Sequence, residues 1–245
     1  MDELEDGAVC TPDGCIPAAQ PAPVKFAGAL IVDLSIVSDV VCPWCYIGKR
    51  RFEKALGLLG PDFPIRVTWR PFELNPQMPK EGIERHIYRQ RKFGSLEYSA
   101  QLDAQVASAG AGDGISFRHD LMKRTPNTFD AHRLLWRAHR LGVQDALAET
   151  LFRAYFCEGR DVGDRAVLAE MGEKAGMARE ETLAFLHGQE GAEDVRRDMT
   201  AAQQGGITGV PAFVANGWML FSGAQQPQAI AGVLRQVAEA LRKSA

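Results

Sequence analysis

The stretch Cys42-Pro43-Trp44-Cys45 decides the fold, because of what surrounds it in the chain. Residues 29–37 (ALIVDLSIV), shortly before it, are β-branched and almost continuously apolar, which predicts a strand buried on both faces. Residues 44–59, after it, carry apolar side chains at helical spacing and end at a Gly-Pro pair, which predicts an amphipathic helix. On that helix we expect Lys49, Arg50 and Glu53 to face solvent. The two cysteines therefore stand where a buried strand passes into a helix.

The elements that follow predict a sheet interrupted by a helical segment. Residues 64–72 alternate apolar and polar side chains, so they predict a second strand and complete a right-handed βαβ unit. Strand signals then disappear, and helices are predicted near 83–93, 96–109, 127–141, 143–157, 164–176, 179–188 and 190–204. Strands return at 210–215 and 218–221 around Asn216-Gly217, a hairpin turn signal, and a helix is predicted over 227–242.

This order predicts an α/β fold, βαβ then ββα, with a large all-helical insertion. Residues 29–82 form the first half of the sheet domain, 83–204 the insertion and 205–245 the second half. Residues 1–28 are proline-rich and acidic and lack an apolar period, so we expect a flexible tail there. That tail carries a Cys-x4-Cys pair, Cys10 and Cys15.

Composition excludes several classes of protein. The 245 residues carry a net charge of −3, whereas nucleic-acid-binding domains usually have a clear basic excess. No apolar run is long enough to cross a membrane, and the acidic start does not fit a secretory signal. We therefore expect a cytoplasmic protein, a compartment in which paired cysteines are more often catalytic or metal-binding than structural.

The Cys42 to Cys45 spacing suits thiol–disulfide exchange. A thiol at a helix N-terminus faces unpaired N–H groups that favour a thiolate, so Cys42 is the candidate nucleophile. Cys45 lies one turn further on and is placed to resolve a mixed disulfide. Pro43 suits the first helical position, and we expect Trp44 to lie exposed beside the sulfurs. The alternative is half of a zinc knuckle, completed by Cys10 and Cys15, but the passage from strand to helix favours redox chemistry without a metal.

Four motifs together resemble the FrnE branch of the DsbA-like oxidoreductases. They are SDVVCPWCYIG at 38–48, RPFELNP at 70–76, NTFDAH at 127–132 and GGITGVPAF at 205–213. The resemblance covers about residues 29–243. It implies a thioredoxin-like fold and a protein thiol–disulfide oxidoreductase or disulfide isomerase.

The resemblance also assigns a role to residues near position 211. It implies a cis-proline at Pro211, beside the cysteine pair, as a further catalytic position. A cis bond there turns the backbone of Val210 outward, so that Val210 and Thr208 can bind a substrate chain in β fashion, together with Pro43 and Trp44. Partners would be protein or peptide thiols and disulfides and, as electron donor, glutathione or a thioredoxin-type protein. No cofactor is expected beyond the redox-active disulfide, with glutathione as a possible co-substrate. The oligomeric state stays open.

Two other functions stay open. Kappa-type glutathione transferases and chromene-carboxylate isomerases share the architecture but have Ser where Cys42 stands, and they activate glutathione instead. Cysteine at both 42 and 45 argues against them, and a glutathione-dependent activity stays the leading alternative. A redox-regulated holdase chaperone would instead use the apolar rim around Trp44 to hold unfolded chains.

Weaker candidates lie outside the main pair. Thr11-Pro12-Asp13-Gly14 is a β-turn sequence that can bring Cys10 and Cys15 together as a second redox pair, although an inert tail or a metal site is also possible. Asp39 could transfer a proton during exchange, cap the helix or face solvent. We interpret His132 as a structural or surface histidine, and the basic cluster at 85–92 as a solvated helix face.

Overall fold

The computed structural model describes Cys10–Thr11, Gly14–Cys15 and residues 31–244. The two N-terminal segments form two-residue strands, β1 (Cys10–Thr11) and β2 (Gly14–Cys15), which pair antiparallel with Cys10 opposite Cys15. The rest of the tail predicted at 1–28 lies outside the described residues.

A mixed four-stranded sheet forms the centre of the fold. Its strands are β3 (Val32–Ser38), β4 (Ile65–Pro71), β7 (Ala212–Ala215) and β8 (Trp218–Ser222), in the spatial order β4-β3-β7-β8. β3 and β4 are parallel, as a βαβ unit requires, and β7 pairs antiparallel with both β3 and β8. Asn216 and Gly217 both have positive φ, as the hairpin turn signal predicts. The predicted α/β fold is confirmed.

The helices occur where the sequence places them. α1 (Pro43–Leu59) crosses between β3 and β4, and α9 (Pro227–Ser244) packs against α1. The insertion contains α2 (Arg85–Phe93), α3 (Leu96–Ala111), α4 (Phe129–Arg140), α5 (Gln144–Glu158), α6 (Arg165–Lys174), α7 (Arg179–His187) and α8 (Ala192–Gln204). No predicted boundary within the insertion is displaced by more than two residues.

The insertion is not entirely helical, which corrects the prediction. β5 (Ile83–Glu84) and β6 (Arg124–Thr125) form a small antiparallel pair that ties the start of α2 to the segment before α4. Two-residue strands are too short to produce an alternating pattern, so their sequence carries no strand signal. Gly82 permits the pairing, since a Cβ there would lie 2.7 Å from the Thr125 carbonyl oxygen.

One continuous apolar core joins the insertion to the sheet domain. Tyr46 of α1 stacks on Phe152 of α5, with ring centroids 5.2 Å apart, and the Phe156 ring lies 6.2 Å from Tyr46. All three are buried, and each such side chain contributes about 1.5–3 kcal/mol of burial free energy. The insertion is therefore fixed against the helix that begins at the cysteine pair.

Lys49 is buried, although the helical pattern predicts that it faces solvent. Only 2% of its side chain is exposed, and its ammonium pairs with Glu53, with Asp145 at 3.3 Å and with Glu149 at 3.5 Å. Asp145 and Glu149 belong to α5, so a carboxylate cluster of the insertion draws the lysine inward. The pattern on α1 alone cannot reveal a neighbour so distant in sequence.

Candidate functional site

The nucleophile candidate lies at the start of α1. Cys42 is the N-cap residue, and Pro43 is the first helical residue. The first turn has neither an acidic side chain nor a side-chain cap. Pro43 has no N–H and the Cys45 N–H donates to the Cys42 carbonyl at 3.1 Å, so the positive end of the helix dipole is what favours negative charge on the Cys42 sulfur. Only 4% of Cys42 is exposed, and Trp44 is half-buried against the core, where the sequence predicted an exposed side chain. Access to the sulfur is therefore through a cavity.

The Val210-Pro211 segment, from the second half of the sheet domain in the sequence, completes the site. The Val210–Pro211 peptide bond is cis, as the resemblance implies, and the Val210 carbonyl oxygen lies 3.6 Å from the Cys42 sulfur. Pro211 packs on α1 at Gly48, where a Cβ would lie 3.0 Å from the proline Cγ. Thr208 is exposed and Val210 half-buried, which leaves the loop accessible to another chain.

Cys45 has a different environment from Cys42. It is completely buried, and both cysteines are free thiols, so the structure shows the dithiol form of the pair. Burial raises the pKa of the Cys45 thiol well above its ordinary value, and the neighbouring Cys42 raises it further. A backbone hydrogen bond from Asp39 and a side-chain hydrogen bond from Ser38 act in the opposite direction. The resolving thiol is thus held in its protonated form at neutral pH.

Asp39 is buried beside this thiol and does not face solvent. Its carboxylate accepts hydrogen bonds from the backbone N–H groups of Leu74, at 2.8 Å, and Val41, at 3.4 Å. His132 of α4, also buried, places its Nε2 3.5 Å from the same carboxylate. The sequence singled out Asp39 as a candidate for proton transfer and interpreted His132 as a structural or surface histidine, because a histidine on α4 carries no trace of a partner that follows β3.

A cavity of about 430 Å³ opens at the Cys42 sulfur. Its walls include Cys42, Trp44 and Val210 on one side and the helix α2 on the other. The size falls within the range of ordinary small-ligand sites, roughly 300–1,000 Å³. A substrate can therefore reach the nucleophile even though the sulfur itself is almost covered.

Basic side chains form the α2 wall of the cavity, where the sequence predicted a solvated helix face. Arg85 and Arg89 are half-buried there and share one carboxylate, Asp103, each at 2.6 Å. Lys92 contacts the Tyr88 hydroxyl at 2.7 Å and Asn75 at 3.5 Å. Two arginines and a lysine against one aspartate give the wall an excess of positive charge. The repeated basic residues were visible in the sequence, but the cavity that they face was not.

The other predicted positions stand apart from this site. Cys10 and Cys15 are brought opposite each other in the backbone register of β1 and β2, and their place relative to Cys42 is not defined by the described residues. In the part of the chain that the structure describes, no group of three or more His, Cys, Asp or Glu side chains could hold a metal ion. Among the same residues, no helix is long and apolar enough to cross a membrane.

The fold and site define a class, the thioredoxin-fold proteins with a Cys-x-x-Cys pair opposite a cis-proline. Residues 33–235 match the DSBA-like thioredoxin domain family, and the chain belongs to that family.

Three known proteins resemble this chain over most of its length. The crystal structure of the probable DsbA oxidoreductase SCO1869 from Streptomyces coelicolor is 35% identical, covers 84% of this chain and 89% of its own, and has a TM-score of 0.74. The uncharacterized protein YwbO of Bacillus subtilis is 28% identical over 76% of this chain and 87% of its own length. The cytosolic disulfide reductase DsbM from Pseudomonas aeruginosa is 18% identical, covers 84% of this chain and 98% of its own, with a TM-score of 0.59, and therefore shows the shared fold alone.

Proposed function

We propose that this protein is a cytoplasmic dithiol–disulfide oxidoreductase of the FrnE-like branch, acting on protein disulfides through Cys42 and Cys45. The observation that carries the proposal is the position of the Cys42 sulfur, at a helix N-terminus, 3.6 Å from the Val210 carbonyl oxygen and open to a large cavity. Membership of an oxidoreductase family supports it, as does the cytosolic reductase among its structural neighbours.

The reaction follows from the two thiols. In the reducing direction the Cys42 thiolate attacks one sulfur of a substrate disulfide, and the other sulfur leaves as a thiolate that takes a proton from water. The Cys45 thiol then loses its proton and attacks the Cys42 sulfur, which forms the enzyme disulfide and releases the second thiolate. Two electrons pass from the dithiol to the substrate, and the oxidising direction is the reverse.

The Val210-Pro211 segment positions the substrate for this attack. An extended substrate chain can pair with the Val210 backbone, which places the chain beside the Cys42 sulfur. Pro43 and Trp44 line the same cavity, and the exposed Thr208 precedes Val210 by two residues, so these side chains can add contacts to the bound chain. This mode of binding depends on backbone rather than on a particular side chain, so it suits disulfides in unrelated proteins.

Insulin reduction with dithiothreitol tests the proposal. Cys42→Ser should lower turnover to the uncatalysed rate, because no nucleophile remains. Cys45→Ser should instead accumulate a mixed disulfide on Cys42, measured by mass spectrometry. Cys157→Ser is the matched control, since Cys157 is a half-buried thiol on α5, and it should leave turnover unchanged.

Two results would contradict the proposal. Full turnover in Cys42→Ser would contradict the redox function of the pair, and suppression of insulin aggregation that survives in that variant would support the holdase.

The reduction potential of the Cys42–Cys45 pair decides the direction of the reaction. A value near the cytosolic glutathione poise, roughly −220 to −320 mV, favours a reductase or isomerase, and a much higher value favours an oxidase.

A second candidate function, a glutathione-dependent activity, is favoured by the basic wall of the cavity. Glutathione carries two carboxylates on a thiol tripeptide, and Arg85, Arg89 and Lys92 line the same cavity as Cys42, so they can supply cationic partners for those carboxylates. DsbM, a structural neighbour, has also been solved with GSH. Glutathione would then be the electron donor, in place of a thioredoxin-type protein.

Steady-state kinetics with two reductants test this second candidate. Lys92→Ala should raise the KM for glutathione about tenfold, the effect of losing one charge-assisted contact, while the KM for uncharged dithiothreitol stays constant. Lys243→Ala removes the same charge from the end of α9 and serves as control. Equal KM values for glutathione in Lys92→Ala and the unaltered protein would exclude the basic wall as its site.

A further inference from the structure

The α2 wall faces the place where a substrate chain is bound. Pairing with the Val210 backbone does not distinguish one substrate chain from another, so selection among disulfides must come from side chains elsewhere in the cavity. Val210 and Cys42 line the cavity from the sheet domain. Arg85, Arg89 and Lys92 line it from α2. The residues that flank a reacting substrate cysteine therefore share the cavity with three cations.

The positive charge of the α2 wall is not balanced within the protein. Arg85 and Arg89, whose side chains are each only 16% exposed, both pair with the same carboxylate, Asp103, at 2.6 Å. The buried ammonium of Lys49, by contrast, pairs with three carboxylates. Burial lowers the pKa of Arg89, and the neighbouring Arg85 lowers it further, whereas Asp103 raises it. His119 lines the same cavity but adds no charge at neutral pH, because burial lowers the pKa of its imidazole. A second anion in the cavity would therefore relieve an excess of positive charge.

Arg85 has hydrogen-bond donors available for such an anion. Its guanidinium donates to Asp103 through Nη2. Among the residues that the structure describes, no group accepts a hydrogen bond from its Nε or Nη1. These two groups are not sealed inside the protein, since the buried side-chain atoms that lack a partner in the described chain belong to other residues. A carboxylate from outside can therefore form charge-assisted hydrogen bonds with Arg85 while Asp103 stays in place.

The basic surface extends along the whole of α2. The helix carries Arg85, Arg89, Arg91 and Lys92 but no acidic side chain, and the last two are exposed in its final turn. From Arg85 to Lys92 the helix rises about 10 Å, which is the length of about three residues of an extended chain. The protein as a whole has a net charge of −3, so this surface opposes its overall charge. A surface of this length and sign suits several acidic residues in succession.

We propose that the α2 wall selects disulfides whose cysteines lie in acidic segments of the substrate protein, with Arg85 and Lys92 as specificity-determining residues. The inference rests on the proposed function and names its substrate class. The wall attracts the acidic chain from solution, and its N–H groups donate to the substrate carboxylates before Cys42 attacks. The exchange of thiols and disulfides itself is unchanged, because the wall acts on binding alone.

Three synthetic peptides of one length test the inference. Each has blocked ends and one central cysteine in a mixed disulfide with uncharged thiopyridine, and the flanking residues are glutamate, glutamine or lysine. The Cys42 thiolate attacks the peptide sulfur, thiopyridone leaves and is followed by stopped flow, and Cys45 then releases the peptide as a thiol. At low ionic strength the glutamate peptide should react about tenfold faster than the glutamine peptide, the low end of electrostatic steering, and the lysine peptide should react slowest. Added salt should narrow the differences, because it screens the charges.

Two double substitutions assign this preference to α2. Arg91→Gln/Lys92→Gln removes two exposed charges from the last turn of α2 and should lower the preference for glutamate over glutamine about threefold, with the glutamine rate unchanged. Arg242→Gln/Lys243→Gln removes the same two residue types from the last turn of α9 and should keep the preference. A preference of equal size in the two variants overturns the inference. Arg85→Gln should lower the preference as well, and the exposed double variant keeps the test valid if this half-buried change prevents folding.

The outcomes separate the inference from the function on which it rests. Equal rates with the glutamate and glutamine peptides at low ionic strength, or a faster reaction with lysine, would overturn the inference and leave dithiol exchange in place. Release of thiopyridone from all three peptides no faster than in Cys42→Ser would overturn the proposed function instead. The assay contains no glutathione, so a preference for glutamate is measured separately from any glutathione-dependent activity.

Discussion

The Cys42 sulfur lies 3.6 Å from the carbonyl oxygen of Val210, although 168 residues separate the two in the chain. Adjacent strands of the central sheet bring them together, since Val37 at the end of β3 stands opposite Ala212 at the start of β7. The helical insertion leaves the sheet after β4 and returns before β7, so it does not disturb this contact. The reacting sulfur and the substrate-binding backbone are therefore positioned by the same register.

Gly48 should be required for this arrangement, because it is the surface of α1 on which Pro211 rests. Gly48→Val inserts a branched side chain where even a Cβ lies 3.0 Å from the proline ring, and we expect a loss of about 1–3 kcal/mol in stability together with lower turnover. Gly57→Ala is the matched control on the same helix, since a Cβ there meets nothing within 4 Å. That control should raise stability by about 0.5–1 kcal/mol, as measured by urea unfolding. Equal effects of the two substitutions would contradict the packing argument.

The buried ion pair between Arg51 and Asp113 should be sensitive to the loss of one partner. The two side chains are 6% and 7% exposed and lie 2.7 Å apart, and Arg51 also donates to the Ala224 carbonyl at 2.5 Å. Asp113→Asn leaves a buried guanidinium without its counter-charge, and we expect a destabilisation of about 3–5 kcal/mol.

The control for that prediction is an exposed pair of the same kind. Asp33→Asn breaks the Arg66–Asp33 pair, whose side chains are 64% and 47% exposed, and should cost about 0–1 kcal/mol. Both values come from denaturant unfolding of the reduced protein. A cost for Asp113→Asn no larger than that for Asp33→Asn would show that the buried pair is dispensable.

The stability of the reduced protein should fall at alkaline pH because of Cys45. Its folded pKa is raised by burial above the value of about 8.5 for an unfolded cysteine. The folded state then holds the proton more tightly than the unfolded state, so the stabilisation is fully present below pH of about 8.5 and is lost as the pH rises toward the folded pKa. Burial also raises the pKa of Tyr46, Tyr155 and Cys157, so thermal unfolding of the reduced proteins should show a steeper alkaline loss of stability in the unaltered protein than in Cys45→Ala. A parallel pH dependence of the two proteins would contradict the assignment.

The paired register of Cys10 and Cys15 leads to a prediction about the N-terminal segment. We expect that these cysteines form a second redox pair that exchanges electrons with Cys42 and Cys45. Cys10→Ser/Cys15→Ser should then change the rate at which the main pair is reduced, and differential thiol labelling of the unaltered protein should find both cysteines oxidised together. Unchanged turnover and an unchanged reduction potential in the double variant would leave the segment without a redox role.

The sequence by itself determined the order of elements and the position of the reacting pair. Local signals carry that information: the apolar run before Cys42, the helical spacing on α1 and the Asn216-Gly217 turn each depend on neighbours within a few residues. For the same reason the helices of the insertion were predicted closely, while the pairing of β5 with β6, which joins distant segments, was missed.

Only the tertiary structure decided what the charged side chains face. The sequence predicted Lys49 and Arg85 as exposed residues of helices. In the structure Lys49 is buried and pairs with carboxylates of α5, and Arg85 lines the cavity beside Cys42. His132, interpreted as a structural or surface histidine, is buried, and its Nε2 lies 3.5 Å from the Asp39 carboxylate. Burial and charge pairing arise from contacts between segments far apart in the chain, and a helical pattern records which face is apolar but not which neighbour covers it.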